Sequence, residues 1–242
     1  DAFESAISQN DVKVFIHCNP HNPVGHVWTE EEMDRLFSIC KQHNVLIISD
    51  EIHQDLITGS TPFTSALSVS NGIYVDHVIS LSSVSKSFNM ASLHQAEVMI
   101  PNEALRHQYN AYKAQVYHTD ADVIAETAIT AAYTHPEAEA WLDDVRAVIR
   151  ENYEYLCNEL LSALPKLRIS PMDGTYLAWI DFGAYVRAED MHDLFENQCR
   201  IAPSFGEWFG GESYATFVRL NLATSLANIK TATHSIINHI RP

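Results

Sequence analysis

A lysine amine, a carboxylate and an arginine fork, each set in a short polar motif, are the groups in these 242 residues best suited to chemistry. Lys86 lies in Ser82-Ser83-Val84-Ser85-Lys86-Ser87-Phe88-Asn89. Upstream come Asn19-Pro20-His21-Asn22-Pro23-Val24-Gly25 and Ser49-Asp50-Glu51-Ile52-His53, and far downstream Arg219-Leu220-Asn221-Leu222-Ala223. A lysine amine serves as a nucleophile or an acid-base group. A guanidinium grips a carboxylate through two parallel hydrogen bonds, which fixes its orientation. Each motif also has a plainer role. An Asn-Pro pair before Pro-Val-Gly marks a turn, Asp50 after an apolar run caps a strand, Lys86 in a Ser-rich stretch is a solvated loop lysine, and Arg219 makes a strand-surface salt bridge. Their joint presence, in order, points to a shared chemistry.

The elements that must position these groups are legible from periodicity. Val12 to His17 reads as a buried strand that delivers Asn22 from its carboxyl end. Thr29-Glu30-Glu31-Glu32 is a capping-box pattern, and Met33, Leu36, Phe37 and Cys40 follow at helical spacing. Val45 to Ser49 predicts the next strand, so a strand-helix-strand order implies a parallel crossover. In open α/β sheets ligands sit beyond the carboxyl ends of the strands, where Asn22 and Asp50 fall. Val75 to Leu81 predicts a strand feeding the lysine turn, and Ala96 to Ile100 the strand after it. Helices are expected over Asn102–Tyr117, Ala121–Tyr133 and from Pro136 to about Leu164. The last carries Trp141, Val145, Ile149, Tyr153, Leu156 and Leu160 on one face, a stripe suited to a core. Strands Leu167–Ser170, Thr175–Asp181 and Phe217–Leu222 and helices Ala188–Gln198 and Ser225–Ile240 outline a second, smaller α/β unit. Gly206 to Gly211 reads as a flexible loop by composition.

The four motifs together resemble the signature of fold-type I pyridoxal-phosphate enzymes, the aminotransferase class I/II superfamily, and most closely its C-S β-lyase (cystathionine β-lyase-like) branch. The wording Asn-Pro-His-Asn-Pro-Val-Gly, Ser-Asp-Glu-Ile-His-x-Asp over Ser49–Asp55 and Lys-Ser-Phe-Asn over Lys86–Asn89 carries the branch. The resemblance implies an α/β fold with a mixed, mainly parallel sheet in residues 1–145, the carboxy-terminal part of a large cofactor-binding domain, and a small domain in residues 146–242. It implies pyridoxal 5'-phosphate as cofactor, Lys86 as its covalent anchor and acid-base group, Asp50 beside its ring nitrogen, Asn22 and His53 toward its phenolic oxygen, and Ser83 and Ser85 toward its phosphate. Arg219, with Asn22, would bind the substrate carboxylate. The implied substrate is cystathionine or another cysteine S-conjugate, and the implied assembly a homodimer. An aminotransferase, and a non-catalytic module that keeps the fold, are the alternatives.

Three departures stand out. His94 occupies the position eight beyond Lys86 where many aminotransferases carry arginine, Ala91-Ser92-Leu93 replaces the usual Ala-Gly-Leu, and Ala223-Thr224-Ser225 replaces Cys-Pro-Arg after the arginine. Family members are longer and begin earlier. The chain is therefore expected to be a carboxy-terminal part that lacks an N-terminal arm, a phosphate-cradling helix and a ring-stacking aromatic, and to bind the cofactor weakly by itself.

Composition narrows the remaining classes. Apolar content of 46% excludes a disordered chain. A formal net charge of -16 argues against nucleic acid or an anionic membrane as partner. Cys18, Cys40, Cys157 and Cys199 lack a Cys-x-x-Cys pair, so neither a zinc site nor a disulfide framework is expected, and reduced core thiols in the cytoplasm fit best. No metal site is expected from the thirteen histidines, and no signal peptide or long apolar span is evident.

Overall fold

Short apolar runs, each stopped by a turn former, build the first sheet. The computed structural model describes residues 2–116 and 122–240. Helix α1 (Ala2–Gln9) leads into strand β1 (Val14–Cys18); α2 (Glu30–Gln42) then carries the chain to β2 (Leu46–Asp50), and β3 (Val78–Ser82) follows. These three strands pair in parallel, with Cys18 opposite Asp50 and Asp50 opposite Leu81, so their carboxyl ends share one sheet edge. The four-residue helix α3 (Val84–Ser87) leaves that edge, and β4 (Glu97–Met99) returns antiparallel to β3.

The capping box is present. Thr29 Oγ1 accepts from Glu32 N at 3.2 Å, and the Glu32 carboxylate accepts from Thr29 N at 2.8 Å. That start sets the phase of α2, so that Met33, Phe37 and Cys40 are buried with Val45, Ile47 and Val78 in the core under the sheet. The strand expected from Val75 begins only at Val78. Val75–His77 forms a 3-10 turn, because His77 N bonds back to Tyr74 O at 2.8 Å and Asn102 Nδ2 takes Asp76 O at 3.1 Å.

Helices α4 (Glu103–Val116), α5 (Val123–Thr134) and α6 (Pro136–Ala163) follow. The expected end at Tyr117 and start at Ala121 lie outside the described residues. Asn102 and Asp122 cap α4 and α5 through their side-chain oxygens, and Pro136 opens α6, where its missing N–H costs nothing. The buried stripe of α6 is Leu142, Ile149, Leu156 and Leu160, and it bypasses Trp141, which is 45% exposed and stacks on Phe88. Buried Asn152 shares that stripe because its amide donates to the carbonyls of Leu222 at 2.9 Å and Thr224 at 2.8 Å.

The second sheet is antiparallel. It comprises β5 (Arg168–Ile169), β6 (Leu177–Asp181), β7 (Ser204–Phe205) and β8 (Phe217–Asn221), in the order β5-β6-β8-β7. Helix α7 (Glu207–Gly210) and a 3-10 turn over Gly211–Tyr214 occupy the glycine-rich stretch read as a flexible loop. Aromatic packing accounts for this order: Phe209, Tyr214 and Phe217 surround the Trp179 ring. Between β6 and β7, a 3-10 turn over Ala188–Asp190 precedes a wider π-helical turn over Asp193–Gln198. Helix α8 (Leu226–Ile240) closes the described chain. Among the described residues no helix is long and apolar enough to cross a membrane.

Two compact units result. The first holds the chain up to Pro20 with Val27–Leu142; the second holds His21–His26 with the chain from Asp143 onward, so the division falls within α6.

Candidate active site

In the first unit the candidate groups sit where strands end. Asp50 is the last residue of β2 and half-buried, and its Oδ1 accepts from Ile52 N at 3.1 Å. The backbone around it is pinned, because Asn19 N donates to Asp50 O at 3.0 Å and Glu51 N donates to Leu81 O at 2.8 Å. Glu51 has the opposite fate. It is fully buried, and its carboxylate accepts from Ser49 Oγ at 2.9 Å, Ser65 Oγ at 2.8 Å and Ala66 N at 2.7 Å. Of two adjacent carboxylates, one is locked into the fold and one stands at the sheet edge. His53, 3% exposed, lies in the turn that follows.

Lys86 rides on α3, which a single residue, Ser83, separates from β3, the strand beside Asp50. Ser83 caps this helix: its Oγ accepts from Ser85 N at 3.1 Å and stands 2.7 Å from Gln95 O and 2.9 Å from Ser85 Oγ. With one proton to give and 3% exposure, Ser83 is committed to holding the turn. The Gln95 carbonyl takes the Ser83 proton, whereas Ser85 is half-buried and its hydroxyl can turn outward, so it is the better outward donor of the two. Lys86 is half-buried.

In the second unit Arg219 stands mid-strand on β8, opposite Trp179 and Ser204. Nη1 donates to Asn22 Oδ1 at 2.8 Å and Nη2 to Ser204 Oγ at 3.0 Å, while the Phe209 ring lies 4.7 Å from Cζ. Burial draws its pKa below the ordinary arginine value, opposed by Tyr176, and the group stays cationic. With Oδ1 of Asn22 occupied by the guanidinium, the amide nitrogen is the end left to donate. The turn that presents Asn22 depends on Gly25, whose φ of +76° favours glycine and whose Cβ would stand 2.9 Å from Met172 Cγ. Its carbonyl accepts from Asp173 N at 2.9 Å and Gly174 N at 3.0 Å.

The structure thus brings Asp50, His53, Ser83, Ser85 and Lys86 into one unit and Asn22 and Arg219 into the other. Sequence reasoning missed Ser204 and Phe209, the partners of Arg219, since neither lies in a motif. It also gave no role to Asp55, although the residue closes the quoted Ser-Asp-Glu-Ile-His-x-Asp run.

Fold and donor set together define an α/β protein with a lysine turn and a carboxylate at adjacent parallel strand ends and an arginine in a second sheet. The sequence profile of the aminotransferase class I and II family matches residues 1–236, and the chain belongs to that family. It is 33% identical to the cystathionine beta-lyase PatB of Bacillus subtilis over 94% of this chain and 58% of that protein. It is 32% identical to the protein MalY of Escherichia coli over 98% of this chain and 60% of that one. Among solved structures, the PLP-bound C-S lyase of Staphylococcus hominis superposes with a TM-score of 0.89 at 29% identity, over 98% of this chain and 61% of that one. The chain has the fold of that lyase and spans about three-fifths of the length of these relatives.

Proposed function

We propose that the full-length protein is a pyridoxal 5'-phosphate-dependent lyase that cleaves the Cβ–S bond of cystathionine or a related cysteine S-conjugate, releasing a thiol, pyruvate and ammonia. The observation that carries this reading is the placement of Asp50 and the Lys86 turn at the carboxyl ends of adjacent parallel strands. Similarity to proteins named as cystathionine β-lyases supports the lyase branch. The donor set also fits the cofactor: an amine for its aldehyde, a carboxylate for its pyridine nitrogen and hydroxyls for its phosphate.

When bound, that cofactor supplies an electron sink for negative charge developing at the substrate Cα. Lys86 would hold it through its side-chain amine, and the same amine is the group suited to take the Cα proton. Asp50 would keep a proton on the ring nitrogen, because a nearby anion favours the cationic form. The Asn22 amide and His53 would be the donors to its phenolic oxygen, and Ser85 would donate to its phosphate from a turn braced by Ser83. Arg219, steadied by Asn22 and Ser204, clamps the substrate carboxylate so that the bond to be broken is held in one orientation. The Cα proton would pass to Lys86, the electron pair left at Cα would form a Cα=Cβ bond as the Cβ–S pair leaves with the thiolate, and water would hydrolyse the resulting enamine to pyruvate and ammonia.

Residues 1–145 then belong to the cofactor-binding domain and residues 146–242 to the small domain. A cytoplasmic homodimer is part of the same reading. Four free cysteines among the described residues support a reducing compartment. Incubating the full-length protein with cystathionine, and separately with an amino acid plus a 2-oxo acid, tests the activity. Pyruvate with ammonia and thiol is the expected product, and amine transfer without thiol release would make the protein an aminotransferase instead.

A further inference from the structure

A four-residue helix cannot hold a lysine in place by its own hydrogen bonds, since fixing a single turn is unfavourable without tertiary support. Helix α3 has a tie at each end. At the front, Ser83 caps Ser85 N and bonds Gln95 O. At the rear, the residue after Lys86 is Ser87, 1% exposed, whose hydroxyl donates to Asp55 Oδ2 at 2.7 Å. The same oxygen accepts from the Tyr133 hydroxyl on α5 at 3.0 Å. Burial and then the Asp55 carboxylate push the Tyr133 phenol upward, so it remains a donor. The Phe88 ring, one residue further on, packs edge-on against Tyr133 at 5.7 Å. Asp55 itself ends the turn over residues 52–55, which follows β2 and Asp50. One carboxylate thus joins the segment bearing the ring-nitrogen anion, the segment bearing the lysine, and helix α5.

We infer that Asp55 is a positioning residue that sets the place of the Lys86 amine relative to Asp50, acting through Ser87 and braced by Tyr133. This inference rests on the reading of Lys86 as the cofactor anchor. Its direct consequence is that loosening the tie misplaces a reacting group without touching the substrate clamp. Turnover should then fall while substrate affinity stays. A displacement near 1 Å costs about 10²-fold in rate, so Ser87→Ala should lower kcat by about tenfold to a hundredfold with KM within about threefold. Asp55→Ala should do at least as much. Ser87→Thr retains the hydroxyl and should restore kcat to within about threefold of the parent.

The experiment uses the full-length protein loaded with pyridoxal phosphate, in parent, S87A, S87T, D55A and Y133F forms. It records kcat and KM for cystathionine, borohydride labelling mapped to Lys86, and backbone hydrogen exchange over residues 83–89 in the cofactor-free protein. Supporting results are a kcat-selective loss in S87A rescued by S87T, faster exchange over residues 83–89 in S87A and D55A, and a smaller change of the same kind in Y133F. If D55A does not fold, S87A and S87T decide. Parent-like kcat and exchange in S87A, with Lys86 still labelled, would overturn the positioning role alone. An unlabelled Lys86 in the parent would remove the functional reading and this inference together.

Discussion

Asp50 and Asp181 are the same residue type at the same place, the carboxyl end of a central strand, yet the two sheets use them differently. Asp181, 3% exposed, accepts from Gly183 N at 2.9 Å and Thr216 Oγ1 at 2.8 Å and pairs with Arg168. Burial pushes its pKa up, but these donors outweigh burial and hold the carboxyl below the usual carboxylate range. Asp50 accepts one backbone N–H and remains half-buried at a sheet edge where neighbouring parallel strands also end. A strand-end carboxylate whose lone pairs are consumed locally is part of the fold, and one with acceptor capacity left over is available for a ligand. The antiparallel sheet instead keeps its candidate binding group, Arg219, in mid-strand, where Asn22, Ser204 and Phe209 fix the fork.

Substitutions can break this contrast. In the full-length protein, Asp50→Asn should reduce kcat by about 10² to 10³, the range for removing one electrostatic contact to a reacting centre, while KM and the urea midpoint stay near the parent values. Arg219→Ala should act mainly on KM, lowering kcat/KM by about 2 to 3 kcal/mol through loss of a desolvated charge pair. Steady-state kinetics on the two variants separate the roles, and equal effects on kcat and KM in both would merge them.

Asp181→Ala should leave kinetics nearly intact but cost about 2 to 3 kcal/mol in urea unfolding, the value of several hydrogen bonds to a charged group. The pH dependence follows from the sign of the shift. A folded pKa below the unfolded one gives stability that is present above the unfolded value, about 3.9, and is lost as pH falls through the lower folded value. Urea midpoints between neutral and acid pH should therefore converge for parent and Asp181→Ala. Thr29→Ala, which removes the cap of α2, should cost about 1 kcal/mol with unchanged kinetics.

The sequence makes the parallel sheet readable because its strands are apolar runs closed by polar motifs, and α2 because its capping box is local. It hides what depends on distant partners. Trp141 has the right spacing for a core stripe, yet it lies exposed against Phe88 while Leu142 takes the buried place. The two-residue strand β7 is too short to leave a periodic signal, so Ser204 was not visible as a partner of Arg219. The Gly206–Gly211 stretch has a loop composition, but Trp179 orders it from another strand. Among the motif residues, type and order marked Lys86, Asp50 and Arg219 as candidates. The distinction between Ser83, spent on capping, and Ser85 required the hydrogen bonds.

Lys86 as the covalent anchor is the central claim, and reductive trapping tests it most directly. The full-length protein would be mixed with pyridoxal phosphate, reduced with borohydride, digested and mapped. The expected result is a cofactor label on the peptide containing Lys86 and loss of that label in a folded Lys86→Ala variant. A label on another lysine, or undiminished labelling of the variant, would contradict the account.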